Sequence, residues 1–301
     1  LKTYNKEPLR FEQQLALLVE RGLIVENYDK AIRFLSRVNY YRFSAYCIPF
    51  EKSRHSFREN VTFSNVQELY KFDKDLRNLL DEALEIIEIG LKTSIAYHLA
   101  HKHNTFIHET PDAFFENRAF TFSKWQEKLH TEIRRSQEKF IDHFKSKYEG
   151  FPKLPLWMAV EVMSFGSLSR MISALKRTEQ IEIARIYGLH SKVFCSWLHT
   201  LVYVRNICAH HGRIWDRVLS IKMAVPKKKE WSNIDKENIT SVIYVILHLL
   251  SKMQIEKEQL HNWTNKYLDL ASRPIPHLSR NLKLKKLADI RQDDLWKKYS
   301  T

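Results

Sequence analysis

Residues 64–102 read SNVQELYKFDKDLRNLLDEALEIIEIGLKTSIAYHLAHK, with no proline and a single glycine, Gly90. Apolar residues recur at spacings of three and four, through Leu69, Phe72, Leu76, Leu80, Leu84, Ile87, Leu91 and Ile95. That period belongs to a helix buried along one side. SNVQ has the Ser-x-x-Gln form of a capping box and places the helix start at Ser64. One long, kinked or straight, helix of this kind organises an all-α protein.

The rest of the chain fits that reading. Only 6 glycines and 8 prolines punctuate 301 residues, too few for a chain of short strands and turns. Helices are predicted over 9–21, closed by Gly22, and over 27–37; a polar loop, EKSRHSFREN, precedes the long helix. Further helices are predicted over 123–148, 155–175, 178–187, 191–209 and 236–253, with shorter basic helices after them. Gly212 sits where a left-handed helix terminator is expected. The expected organisation is an amino-terminal helical region, 1–62, packed on a main helical domain, 63–301.

At 44% hydrophobic the chain can bury a sizeable core. Forty-nine Lys and Arg against 35 Asp and Glu leave a net charge of +14, which attracts polyanions, nucleic acid first among them. Cys47, Cys195 and Cys208 are far apart and odd in number, so no disulfide framework is implied and a reducing cytoplasm is expected. No uninterrupted apolar run reaches membrane-spanning length, and no membrane association is expected. Walker, GxGxxG, GxSxG and HExxH motifs are absent, which removes support for nucleotide-driven, hydride-transfer, serine-hydrolase and zincin chemistry.

The chemistry concentrates at RNICAHHGR, residues 205–213, at the foot of the apolar segment SKVFCSWLHTLVYV. Three readings compete. In a structural one, Arg205 caps a helix terminus or pairs with a buried carboxylate, and the histidines favour a helix C-terminus. In a metal one, Cys208, His210 and His211, with Cys195, bind zinc, although no CxxC or HxxxH pair is present. In the third, Arg and His cleave RNA without metal: RNA carries its own nucleophile, the 2′-OH, and needs a base, an acid and a cation for the charge building on phosphate. Arg205 and His210 are about 140° apart on an ideal helix and share a face only if the helix ends or distorts between them. Asn206, His210, Arg213 and Arg217 would form one polar stripe. One Arg and one His make a thin site, which two copies meeting across a symmetric interface would complete.

Arg205-Asn206-Ile207-Cys208-Ala209-His210 matches the RNxxxH form of the Rx4-6H signature of HEPN domains. Its setting, VRNICAHHGRIWDR, together with LALLVERGLIVENYDKAIRFLSRVNYYRFSAYCIPF, the long helix and PLWMAVEVMSFGSLSRM, resembles the bacterial abortive-infection Abi-like family, AbiD and AbiF included, over roughly residues 8 to 220. The resemblance implies an all-helical, HEPN-like bundle and a metal-independent ribonuclease toxin acting in phage defence, with no cofactor, working as a homodimer with a composite site. By it Arg205 would bind and polarise phosphate, His210 would be the general base or acid, and Asn206 would orient the site; His211 is also allowed by the broader spacing. It also implies a small non-coding RNA as regulatory or guide partner. The alternative is a non-catalytic RNA-binding protein in which RNICAHH is structural.

Other features carry less. Glu85, Glu88 and Lys92 read most simply as an intrahelical ion-pair set, with a carboxylate orienting a catalytic side chain as the other option. Tyr40, Tyr41 and Arg42 interleave aromatics with a cation, as surfaces that stack single-stranded RNA bases do, although core packing with one exposed ring is the simpler reading. Basic clusters at 134–135, 176–178, 227–229 and 283–286 would together form a phosphate-tracking face.

Overall fold

The computed structural model describes residues 3, 5, 7–232, 234–275 and 294–299. It is all-α, with one short hairpin. The helices are α1 (Phe11–Glu20), α2 (Tyr28–Leu35), α3 (Tyr40–Cys47), α4 (Phe63–Lys102), α5 (Phe122–Arg135), α6 (Lys139–Lys147), α7 (Leu156–Val162), α8 (Phe165–Ala174), α9 (Arg177–Ile186), α10 (Ser191–Ala209), α11 (Ile239–Lys252), α12 (Lys257–Ala271) and α13 (Asp294–Tyr299). The basic cluster at 283–286 lies outside the described residues.

The chain divides into two compact units. One holds the residues up to Arg77 together with 266–275. Its core is aromatic: Phe43 stacks on Phe63 at 4.7 Å and meets Phe34 edge-on at 5.5 Å. Within it Asp73 is fully buried, and such a charge is tolerated only when paired. Arg77 one turn away and the Tyr46 hydroxyl, which donates at 2.6 Å, satisfy it. EKSRHSFREN is not simply a loop. It folds into the antiparallel pair β1 (Glu51–Ser53) and β2 (Ser56–Phe57), with His55 turning the chain at a φ of 64°.

The long helix begins one residue before Ser64, and SNVQ does not cap it. Thr62 and Asn65 do so reciprocally: the Thr62 N–H donates to Asn65 Oδ1 at 3.0 Å, and the Asn65 N–H to Thr62 Oγ1 at 3.3 Å. The helix then runs 40 residues without interruption.

The second unit comprises 78–265 and α13. Two of its predicted helices are broken. Ser136 is extended and separates α5 from α6. Met163 is extended and Ser164 starts α8, its hydroxyl accepting from the Ser167 N–H at 3.2 Å. The core centres on α10 and α11. Trp197 of α10 and Tyr299 of α13 both meet the His248 ring edge-on, at 5.1 and 4.9 Å, and His248 Nε2 donates to the Tyr187 carbonyl at 2.8 Å.

Burial pulls two histidines of this unit, His108 and His248, down to about 4. Both are neutral in the folded chain, while the unfolded chain takes up protons below about pH 6.5. Stability is therefore complete above pH 6.5 and is lost as pH falls toward 4, by up to about 1.4 kcal/mol per pH unit for each histidine. The melting temperature should fall between pH 6.5 and 5, before most carboxylates titrate; a flat profile there would contradict the assignment.

Candidate active site

The site is built on α10. Phe194, Trp197, Leu198, Leu201, Val204 and Ile207 bury the helix along its length. The Trp197 indole N–H, which would be costly to bury unpaired, donates to the Ala224 carbonyl at 2.8 Å, and the Ala224 N–H returns a bond to Ser196 Oγ at 2.8 Å. These bonds tie the segment after the helix back onto its side.

The helix ends inside the motif. Its last residue is Ala209, and His210 is the C-cap. The Gly212 N–H bonds the Ile207 carbonyl at 2.8 Å and the His211 N–H bonds the Cys208 carbonyl at 2.9 Å, the pair of bonds that defines a Schellman terminator. The left-handed residue of that terminator is His211, with φ 54°, and not Gly212. Gly212 is required for a different reason: a Cβ there would meet Ile207 Cγ2 at 3.0 Å and the Ile207 carbonyl oxygen at 3.3 Å. A non-glycine residue held left-handed stores strain of about 1 kcal/mol, and such positions concentrate at functional sites.

This termination overturns the single polar stripe. The helix stops before Arg213 and Arg217, which lie on the following segment. Ile214 and Trp215, both buried, anchor that segment, and Asp216 is again left-handed at φ 55°. Arg217 folds back so that Nε donates to the Tyr203 hydroxyl at 3.3 Å and Nη1 to the Arg213 carbonyl at 3.2 Å. Tyr203 in turn donates to Ser220 Oγ at 3.3 Å. Burial opposes ionisation of Tyr203, but its bonds to Ser220 and Arg217 outweigh it and hold the phenol below its usual range.

Arg205 and Asn206 point from the last turns, Arg205 with 37% of its side chain exposed. Arg205 Nη2 lies 3.8 Å from Glu88 Oε2, and Nη1 donates to Asn206 Oδ1 at 3.5 Å. Glu88 Oε1 lies 3.3 Å from Lys92 Nζ. Glu88 thus makes the intrahelical pair read from its spacing and also pairs with the motif arginine. Asp81, Glu85, Glu88, Ile89, Lys92 and Arg205 line an open cleft of about 300 Å³. Neither His210 nor His211 contributes to that lining; both are exposed on the turn.

Tyr40, Tyr41 and Arg42 belong to the other compact unit. There Tyr41 is 85% exposed, and the Tyr40 hydroxyl accepts from Arg21 Nη1 at 3.0 Å. The cysteines and histidines of the motif do not gather into a ligand set. Among the described residues His98, Glu179 and Glu182 alone reach metal-ligand spacing, and Lys102 Nζ already bonds the two carboxylates at 2.9 and 2.5 Å.

The model of the Abi-like protein family matches residues 33–216, from the end of α2 through the turn after α10. The chain belongs to the Abi-like family. The match includes the whole of RNICAHH and stops one residue before Arg217. Membership points this Abi-like chain toward abortive infection, a form of phage defence. No curated protein and no solved structure matches it.

Two substitutions in the terminator separate strain from packing. His211→Gly should raise unfolding stability by about 1 kcal/mol by releasing the left-handed side chain. Gly212→Ala should lower it by about 1–3 kcal/mol through the clash with Ile207. Urea titration of the two variants checks both signs; a destabilised His211→Gly would show that the turn does not strain this residue.

Proposed function

We propose that this Abi-like protein is a metal-independent RNA endonuclease of the HEPN type, acting in the cytoplasm in abortive infection. The observation that carries the reading is the placement of an RNxxxH motif at the end of a buried helix, with its arginine in a cleft and its histidines on a strained turn. A helix with a purely structural end has no need of a left-handed histidine where glycine costs nothing.

In this mechanism a neutral His210 accepts the proton of the ribose 2′-OH. The 2′ oxygen attacks the adjacent phosphorus, the bond from phosphorus to the 5′ oxygen breaks, and that oxygen takes a proton from a protonated histidine. The products are a 2′,3′-cyclic phosphate and a 5′-hydroxyl. Arg205 grips the non-bridging oxygens through its planar fork as charge builds on them. Asn206 steers the guanidinium. His211 is the second candidate for proton transfer. To engage phosphate, Arg205 must leave Glu88, so that carboxylate positions the arginine before substrate arrives.

Among the described residues the cleft lining holds an arginine and no histidine, which favours a homodimer in which the motif of a second copy completes the site. The net charge of +14 supports RNA as substrate and a small non-coding RNA as the restraining or guiding partner.

Purified protein incubated with cellular RNA in EDTA should cleave it, and Arg205→Ala and His210→Ala should each lower the rate by at least about a hundredfold while remaining folded by circular dichroism. Equal cleavage by all three proteins would remove the site from this chemistry. Glu88→Gln should retain cleavage and change its RNA concentration dependence, because it weakens the hold on Arg205 in the free protein.

A further inference from the structure

Away from Arg205, the second unit carries a small pocket of about 200 Å³ whose lining includes Arg118, Lys124, Lys128 and Arg170 and, among the described residues, no carboxylate. Arg118, Lys124 and Arg170 are exposed and have no ion-pair or hydrogen-bond partner among the described residues; Lys128 reaches only Glu132, at 3.6 Å. Cations gathered around one pocket repel one another, and an anion bound among them relieves that repulsion.

The pocket is organised by three elements. The first is a tight turn in which Asn117 and Phe120 exchange backbone bonds at 3.0 and 3.2 Å, and Asn117 Oδ1 accepts from the Ala119 N–H at 2.8 Å; Arg118 stands at its tip. The second is the start of α5. Thr121, the N-cap, makes no side-chain cap bond, and Glu116 takes only the first N–H, that of Phe122, at 2.9 Å. The next two N–H groups, of Ser123 and Lys124, have no acceptor among the described residues, so the positive end of a 14-residue helix is left open.

The third element is α8, which brings Ser167 and Arg170 to the pocket one turn apart. Ser167 is 2% exposed, and its Oγ has no hydrogen-bond partner among the described residues. Its backbone is fully engaged: the N–H donates to Ser164, and the carbonyl accepts from the Trp125 indole at 3.3 Å. A buried hydroxyl without a partner costs about 1–3 kcal/mol. Ser167 is also one of the residues that line this cationic pocket.

We propose that the pocket of Arg118, Lys124, Arg170 and Ser167 binds a phosphate group, carried by an RNA strand or by a free nucleotide. One carboxylate would leave most of the donors unused, whereas a tetrahedral phosphate presents oxygens to guanidinium, ammonium, helix N–H and hydroxyl together. The RNA source rests on the function proposed above. The pocket itself does not use Arg205 or His210.

The test uses the full chain carrying His210→Ala, so that RNA is bound without being consumed. Fluorescence polarisation with a labelled twelve-nucleotide oligouridine and calorimetry with AMP, adenosine serving as the control, report on the two sources. Arg170→Ala with Lys124→Ala should weaken the phosphate-bearing probe by about tenfold more than Lys139→Ala with Lys147→Ala, which removes the same charge from the exposed surface of α6. Ser167→Ala should weaken it about threefold without lowering the melting temperature, since the lost hydroxyl had no partner in the free protein. Loss confined to oligouridine assigns the pocket to a strand; loss of AMP binding assigns it to a nucleotide. Neither probe binding, or both weakening no more than in the matched-charge control, overturns the pocket. Cleavage by the parent chain would still stand in that case, so the two proposals fail separately.

Discussion

An apolar helix that ends at a protein surface has to satisfy its last carbonyls, and the way α10 does so sets what the site can be. The Ile207 and Cys208 carbonyls are closed by the backbone of His211 and Gly212, which turns the chain sharply away from the helix axis. Arg205 and Asn206 stay on the helix, His210 caps it, and Arg213 and Arg217 leave it. The burial of Trp197 and its bond to Ala224 hold the departing segment against the helix. The turn is therefore fixed at both ends, and a strained His211 is retained because its neighbours over-determine it.

Charge is distributed unevenly over this basic chain. Arg205 sits among Asp81, Glu85 and Glu88, so the cleft carries both signs of charge. The pocket at Ser167 has the opposite character, with cations, open helix N–H groups and, among the described residues, no lining carboxylate. The cleft balances its arginine and lysine with carboxylates of its own. The pocket balances one of its four cations, Lys128, with Glu132. The net charge of +14 does not reveal this division, since it sums over both.

Much of the fold was legible. Period and sparse punctuation located most of the helices, though not α3, and α10 begins and ends where its apolar run does. The misses are local and share a cause. SNVQ satisfies a capping pattern, but Thr62 and Asn65, two residues earlier, satisfy the same chemistry and are the ones used. Gly212 satisfies the terminator pattern, yet the close approach to Ile207 places glycine at the following position and leaves the left-handed one to histidine. The extended Ser136 and Met163 interrupt runs whose period reads as continuous, because packing turns the chain where local propensity is indifferent. In the hairpin, two short strands pair across His55 within a segment whose composition reads as solvated loop.

By itself the sequence determined the helical class, the burial of α4 and α10, the presence of an RNxxxH motif and the positive charge, all of which depend on residue identity and period along the chain. Tertiary structure alone decided that Glu88, more than a hundred residues earlier, holds Arg205, that Arg217 turns back to Tyr203, and that Ser167 is buried beside four cations. The physical reason is that ion pairs, strain and desolvation are set by distances between atoms. A periodic pattern specifies which face of a helix is buried, and not which side chain from another helix will lie against it.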